Sequence, residues 1–289
     1  MRVRSVPVLN LKDAMKEEWV DHSRRPFVSS GNAYIPVKNG FDADTNIEER
    51  SRYCGIKYQM IGDIALIHGE LPSEEELKSL INWVHPRGVV LIYGYDGIKR
   101  IPKSELLYGE SKEVCHKEIG CKFWIDPVKV MFSKGNREEK KRMAKIVRPG
   151  ERVADMFAGI GYFTIPFAKS GAYIHSMEIN PDSYYFLKKN VSANNLEEFI
   201  LAEQGDCRKL LKGEYDRAVM GHFDSPNMLP DILSHMNSGG VLHVHSINPV
   251  SEEIIRQAET FGFNADIKIN KVKKYAPGRW HIVSDVVLS

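Results

Sequence analysis

The run Arg152-Val153-Ala154-Asp155-Met156-Phe157-Ala158-Gly159-Ile160-Gly161 constrains the fold more than any other part of the chain. It reads as a buried strand, 152–158, entering a glycine turn, after which Tyr162-Phe163-Thr164-Ile165 opens a helix over 162–170. Asp155 stands near the C-terminal end of that strand, and Gly159 and Gly161 let the backbone approach a ligand with no Cβ in the way. Seventeen residues past Gly161, the run Ile174-His175-Ser176-Met177-Glu178 brings a second strand to an acidic end. This is the layout of an open α/β sheet that holds a nucleoside, with a carboxylate placed for the two ribose hydroxyls. A loop with only two glycines serves a dinucleotide pyrophosphate poorly; S-adenosylmethionine, which has no phosphate, fits better.

The pattern after this point is regular. Strands are expected at 152–158, 173–179, 199–205, 215–221 and 240–247, separated by helices at 162–170, 181–194, 227–236 and 250–261. Such alternation means a parallel sheet covered on both faces. The last pieces, 267–274 and 280–288, turn around Tyr275-Ala276-Pro277-Gly278 and read as an antiparallel hairpin, an ending common in S-adenosylmethionine enzymes and rare in dehydrogenases. The expected fold is therefore α/β: a Rossmann-like class I S-adenosylmethionine-dependent transferase domain, a doubly wound sheet with a C-terminal antiparallel hairpin, preceded by a small α+β domain. In the latter, 59–67 is strand-like with a bend at Gly62-Asp63, 89–93 is a further strand, and 74–84 is an amphipathic helix. Ser73 is its N-cap, with Glu76 in capping-box position. The expected domains are a 1–51 extension with little apolar periodicity, a 52–122 domain that grips RNA, and a 123–289 catalytic domain.

Composition narrows the class of partner. No apolar run approaches a membrane span, the start lacks the apolar stretch of a secretory signal, and Cys54, Cys115, Cys121 and Cys207 form no Cys-x-x-Cys pair, so a reducing, cytoplasmic setting is expected. A monomer is the default, with no membrane partner. The net charge of +2 predicts no polyanion, but its distribution does. Between Lys134 and Arg152 eight basic residues, among them Lys140, Lys141, Arg142 and Lys145, face three acids. From Lys268 to Arg279, five basic residues, including Lys273, Lys274 and Arg279, face none. Two such stretches around one nucleotide fold suit a nucleic acid, the competing reading being solvated helix faces. Cys115, His116 and Cys121 have the wrong spacing and too few ligands for zinc, so no metal is expected.

The strings Ile61-Gly62-Asp63-Ile64, Met131-Phe132-Ser133 through Asn136, Asp155 through Phe163, Val219-Met220-Gly221, and Lys274-Tyr275-Ala276-Pro277-Gly278-Arg279-Trp280-His281 occur in the order found in one family. From about Arg52 to its end the chain resembles the tRNA guanine-37 N1-methyltransferase superfamily, and within it the wybutosine-pathway aminocarboxypropyltransferases. The methyl-transferring branch carries asparagine and proline at the end of strand four, where this chain has Gly221-His222-Phe223. It also places proline after the glycine loop and aspartate at strand two, where this chain has Tyr162 and Glu178. The resemblance thus implies transfer of a 3-amino-3-carboxypropyl group from S-adenosylmethionine to a 4-demethylwyosine-type base 3′ of the anticodon of tRNA-Phe, releasing methylthioadenosine. The alternatives are N1-methylation of guanosine at the same position and a tRNA-binding module without catalysis.

On this reading the cofactor is held by Ser133, Lys140, Asp155, Phe157, Gly159, Gly161, Glu178, Asp206 and Cys207. Glu178 takes the ribose diol, Asp206 the adenine amine, and Ser133 and Lys140 the carboxylate of the methionine arm. Lys140 replaces a family arginine and Cys207 a family asparagine. A basic-helix role for Lys140 on RNA phosphate competes with this. The tRNA is met by Lys141, Arg142, Lys145, Lys273, Lys274 and Arg279, with Phe132, Tyr162, Phe163 and Phe223 as stacking or core aromatics. His222 is a candidate general base, while His243 and His245 share one strand face and suit a core role.

Overall fold

The computed structural model describes residues 1–48, 53–132 and 137–289. The chain divides into two compact units, Met1–Cys54 and Gly55–Ser289. The expected boundary at 51/52 lies outside the described residues. In the first unit, β1 (Arg2–Pro7), β2 (Phe27–Ser29), β3 (Asn32–Pro36) and β4 (Thr45–Asn46) form a sheet in the order β2-β3-β1-β4, with a one-turn helix α1 (Leu11–Ala14). Its small core includes Val20, Ala33 and Ile35, edged by residues such as Trp19. Strands this short show too few alternations to be read from sequence.

The second unit opens with a four-stranded sheet in chain order, β5 (Tyr58–Ile61), β6 (Ile64–His68), β7 (Gly88–Asp96) and β8 (Ile101–Gly109). The bend at Gly62-Asp63 is a two-residue hairpin turn between paired Ile61 and Ile64, and Gly62 has φ +56°. Helix α2 (Glu74–Val84) crosses from β6 to parallel β7. The Ser73 hydroxyl accepts from Glu76 N at 3.2 Å, and the Glu76 carboxylate accepts from Ser73 N at 2.9 Å. A hairpin of β9 (Val114–Glu118) and β10 (Cys121–Ile125) follows.

The seven-stranded sheet comprises β11 (Arg152–Asp155), β12 (Tyr173–Glu178), β13 (Ile200–Gln204), β14 (Tyr215–Met220), β15 (Met236–Ile247), β16 (Ala265–Ala276) and β17 (Arg279–Leu288). Its order is β13-β12-β11-β14-β15-β17-β16; the pairs from β13 to β15 are parallel, and β17 runs antiparallel to both its neighbours, β15 and β16. The helices are α3 (Arg137–Ile146), α4 (Thr164–Lys169), α5 (Pro181–Ala193), α6 (Cys207–Leu210), α7 (Leu229–Leu233) and α8 (Ser251–Thr260). Successive strand residues feed two separate cores. Val153, Ile174 and Val219 pack with Met143, Ile165, Phe167 and Phe186, whereas Ala154, Met177, Ala218 and Met220 pack with Leu229, Ile232 and Ile254. Burial on both faces is why these strands show no simple alternation of apolar and polar residues. The first of these cores also takes in Ile61, Ile64, Leu66, Val90 and Ile92 of the four-stranded sheet, and position 122/123, the expected domain boundary, falls within β10 inside one compact unit. No helix among the described residues is long and apolar enough to cross a membrane.

A buried charge network pins α3 to the hairpin end of the sheet. Arg142 donates to both Asp285 oxygens, at 2.6 and 3.0 Å, and to both Glu139 oxygens, at 2.9 and 2.6 Å. His243 Nδ1 lies 2.6 Å from Asp285 Oδ1, and Arg217 Nη1 lies 2.7 Å from His243 Nε2. Arginine can only donate, so His243 is the neutral tautomer with its proton on Nδ1, facing Asp285. Arg217 is itself held by Glu151, at 2.7 and 3.0 Å. Burial alone would raise the Asp285 pKa, but the bonds from His243 and Arg142 outweigh it and hold the carboxyl well below the usual range. A depressed folded pKa contributes stability that is present above the unfolded value of about 3.9 and is lost as pH falls through the folded one. Asp285→Ala leaves Arg142 with Glu139 alone and the buried His243 Nδ1 without its acceptor, and is expected to cost about 3–5 kcal/mol in urea unfolding at neutral pH. The gap to wild type should narrow as unfolding is repeated at progressively lower pH, below about 4.

Candidate functional site

In a doubly wound sheet the order reverses where consecutive crossovers leave in opposite directions, and ligands bind there, beyond the strand carboxyl ends. Here that point lies between β11 and β14, since β12 follows on one side and β14 on the other. A cavity of about 480 Å³ opens at this edge, within the usual range for small-molecule sites. Of the residues expected to bind cofactor, Lys140, Phe157, Gly159, Glu178, Asp206 and Cys207 line it; so do His222, Lys273 and all four candidate stacking aromatics. Ser133 lies outside the described residues.

Glu178 ends β12 and is 9% exposed. One oxygen accepts from Gly159 N at 2.7 Å, the other from Asn180 N at 2.6 Å. These bonds tie the glycine loop to the start of α5, where Asn180 is the N-cap and Pro181 the first helical residue. Burial pushes the Glu178 pKa up against the pull of these N–H groups. Each oxygen keeps a lone pair for a further donor. Asp206 caps α6 through Arg208 N, and its carboxylate is paired with the Arg208 guanidinium, which lowers its pKa. The Cys207 thiol is buried 3.9 Å from Met228 Sδ, and burial pushes it up to about 11, so it behaves as a small apolar group.

Lys140 is 1% exposed, although it stands in the most basic helix of the chain. Its ammonium pairs with the buried Glu118 carboxylate and lies 5.1 to 6.0 Å from the ring centres of Tyr162, Phe132 and Phe123. Burial lowers its pKa and Glu118 opposes that. A cation so enclosed is not available to RNA phosphate; what it faces is the cavity.

Several expected assignments change. Asp155 does not line the cavity. It is fully buried, accepts from Thr164 Oγ1 at 2.6 Å, and is pushed up to about 6 by burial. The strand ends at Asp155 rather than 158, and the carboxylate anchors the start of α4 from behind the loop. Gly161 also faces away from the cavity: at φ +99°, a Cβ there would stand 2.9 Å from Ile165 Cγ1 and 3.1 Å from Leu187 Cδ1. It makes room for protein, whereas Gly159 makes room at the cavity. Arg142 spends its guanidinium on Glu139 and Asp285 and is not a free phosphate ligand. Lys141 is half-exposed and paired with Glu138, while Lys145, Lys274 and Arg279 are exposed, the last over the Tyr275 ring at 5.5 Å.

Sequence reasoning missed the wall contributed by the β7–β8 turn, where Tyr95, Ile98, Lys99 and Arg100 line the cavity. Lys99 O accepts from Asn180 Nδ2 at 2.9 Å, which joins that turn to the end of β12. The only signal was the turn pair Asp96-Gly97. His245 was missed as a cavity residue because strand alternation gave it a core role with His243, and His281 was given no role. His222 stacks on Phe157 at 5.5 Å, and its Nδ1 accepts from Asp224 N at 3.2 Å, so one ring nitrogen is already committed.

Residues 114–273 match the family model of the TRM5/TYW2 methyltransferase domain. The chain is 39% identical, over 80% of its length and 97% of the relative's, to the tRNA(Phe) (4-demethylwyosine(37)-C(7)) aminocarboxypropyltransferase of Methanocaldococcus jannaschii. Among solved structures, TYW2 of M. jannaschii in complex with AdoMet is similar with a TM-score of 0.65 and 33% identity, covering 81% of this chain and 99% of that one. Trm5b of Pyrococcus abyssi covers 99% of both chains with a TM-score of 0.75 at 25% identity. Sheet order, the cavity at the switch point and these likenesses agree, and the chain belongs to the TRM5/TYW2 family.

Proposed function

We propose that this protein transfers the 3-amino-3-carboxypropyl group of S-adenosylmethionine to carbon 7 of a 4-demethylwyosine-type base, 3′ of the anticodon of tRNA-Phe. The observation that carries the reading is a buried cation, Lys140, on the wall of a nucleoside-sized cavity that also holds the Glu178 carboxylate. S-adenosylmethionine supplies a sulfonium whose three attached carbons are all open to displacement. Which carbon reacts is a matter of aim, because positioning outweighs modest differences in intrinsic reactivity. Glu178 suits the ribose hydroxyls, with lone pairs free after its two backbone bonds. Lys140, held by Glu118 and framed by aromatic rings, suits the arm's carboxylate and would draw the arm, rather than the methyl group, into reach of the acceptor. Gly221 follows β14 directly, with no side chain to hold a guanine edge, as the methyl-transferring branch does with its asparagine.

The exposed basic residues Lys145, Lys274 and Arg279 suit phosphate contacts, and Phe223 and Tyr275, 5.5 Å apart edge to face, suit stacking on an everted base. The relative's name specifies tRNA(Phe) and position 37, and the anticodon-loop assignment here follows it.

Two outcomes check the reading. Purified protein given S-adenosylmethionine and precursor tRNA should release methylthioadenosine, identified by mass. Adenosylhomocysteine instead would mean methyl transfer, and neither product would mean a binding module. Lys140→Met should weaken S-adenosylmethionine about 10–100-fold by calorimetry, as loss of one hydrogen bond to a charged group predicts, and leave methylthioadenosine, which lacks the arm, unchanged. Equal weakening of both ligands would remove Lys140 from the arm.

A further inference from the structure

Two histidines without a part in the chemistry above meet on the cavity wall. His245 and His281 lie on neighbouring antiparallel strands, in a register that pairs Ile247 with His281 and His245 with Val283. His245 Nδ1 and His281 Nε2 are 3.0 Å apart, and each residue is 1% exposed. Phe163 meets His245 edge-on at 5.5 Å, and Phe223 meets His281 edge-on at 5.0 Å. All four line the cavity. The two outer nitrogens, His245 Nε2 and His281 Nδ1, are buried without a hydrogen-bond partner, which is uncommon for polar atoms in a folded interior. His243, two residues earlier on β15, has both nitrogens satisfied.

The bond between the rings fixes the rest by tautomer logic. If His245 Nδ1 donates, His245 Nε2 is a lone pair and His281 Nδ1 an N–H; if His281 Nε2 donates, the two ends exchange roles. Either way the neutral pair offers one free lone pair and one free N–H at opposite ends. A proton accepted at one end can be matched by release at the other.

We propose that the His245–His281 pair accepts the proton released from the acceptor carbon during aminocarboxypropyl transfer, an assignment that rests on the function inferred above. In that step the acceptor carbon's π electrons form the new bond to the γ-carbon of the arm. The bond from that carbon to sulfur breaks, its electron pair staying on sulfur. Positive charge passes to the acceptor ring system, and its C–H bond then breaks with the electrons restoring unsaturation. The proton goes to the free imidazole lone pair, leaving the pair with one positive charge shared across its inner hydrogen bond, and the pair returns that proton to solvent water once the modified tRNA has left. Neutral imidazoles are needed at the start. Burial, then Lys273, pushes His281 down to about 4. Burial holds His245 well below the imidazole range, with His281, His243 and Arg142 adding to this and Asp285 opposing it.

The test compares wild type with His281→Asn and His245→Asn in single-turnover transfer to precursor tRNA carrying hydrogen or deuterium at the acceptor carbon. Each variant should lose about 10²–10⁴-fold in rate, keep its cofactor affinity, and acquire a primary isotope effect that wild type lacks. A purely structural role would lower folded fraction or cofactor affinity with no isotope effect, and that result overturns the proposal, as does an unchanged rate in both variants. Histidine ¹⁵N spectra of the free protein give a reading independent of turnover: two neutral, mutually bonded rings are expected near neutral pH, and a protonated pair overturns the assignment. Should one variant fail to fold, the other and the spectra decide. Wild-type protein that forms no methylthioadenosine overturns the function itself and this inference with it, whereas normal wild-type turnover with unaffected variants overturns only the inference.

Discussion

Burial of the central strands on both faces is the constraint from which the site follows. Val153, Ala154, Ala218 and Val219 give their side chains to two apolar cores, which leaves the middle of the central strands little room for a ligand. Room for one opens at the strand ends, where Glu178 and the loops after Asp155, Gln204 and Met220 converge on one cavity. The reversal of strand order between β11 and β14 leaves the gap that the cavity occupies.

Charge inside this protein is handled by pairing, and the partner chosen decides what each group can do. Arg142 and Lys140 lie two residues apart on α3, yet Arg142 is consumed by Glu139 and Asp285 while Lys140 sits with Glu118 in an aromatic frame beside the cavity. The first arrangement holds the hairpin of β16 and β17 to the rest of the sheet. The second keeps an enclosed cation on the cavity wall. Removing a partner from a buried pair costs far more than the pair contributes over an apolar replacement, which makes both arrangements sensitive to substitution.

The same logic separates the two histidines of β15. His243 lies on the sheet face that meets Arg217 and Asp285 and is saturated. His245, on that same face one step closer to the strand's end, finds only His281. A difference of two residues along one strand thus divides a structural imidazole from one with capacity to spare.

The sequence by itself determined the parallel sheet, its hairpin ending, the capped helix after Ser73 and the carboxylate of Glu178, because each rests on local periodicity or on a spacing that survives folding. The basic character of 137–148 was equally legible, but not which of its cations would be buried. Tertiary structure alone decided that Arg142 is locked and Lys140 enclosed, since their partners Asp285 and Glu118 are remote in sequence. It alone placed Gly161 against Leu187, set Asp155 behind its loop, brought the β7–β8 turn to Asn180, and built the small sheet of 1–48 from strands too short to show a period. The physical reason is common to all of these. A side chain's role is set by the groups that desolvate it and the partner it then finds, and those groups arrive from distant elements only when the cores close.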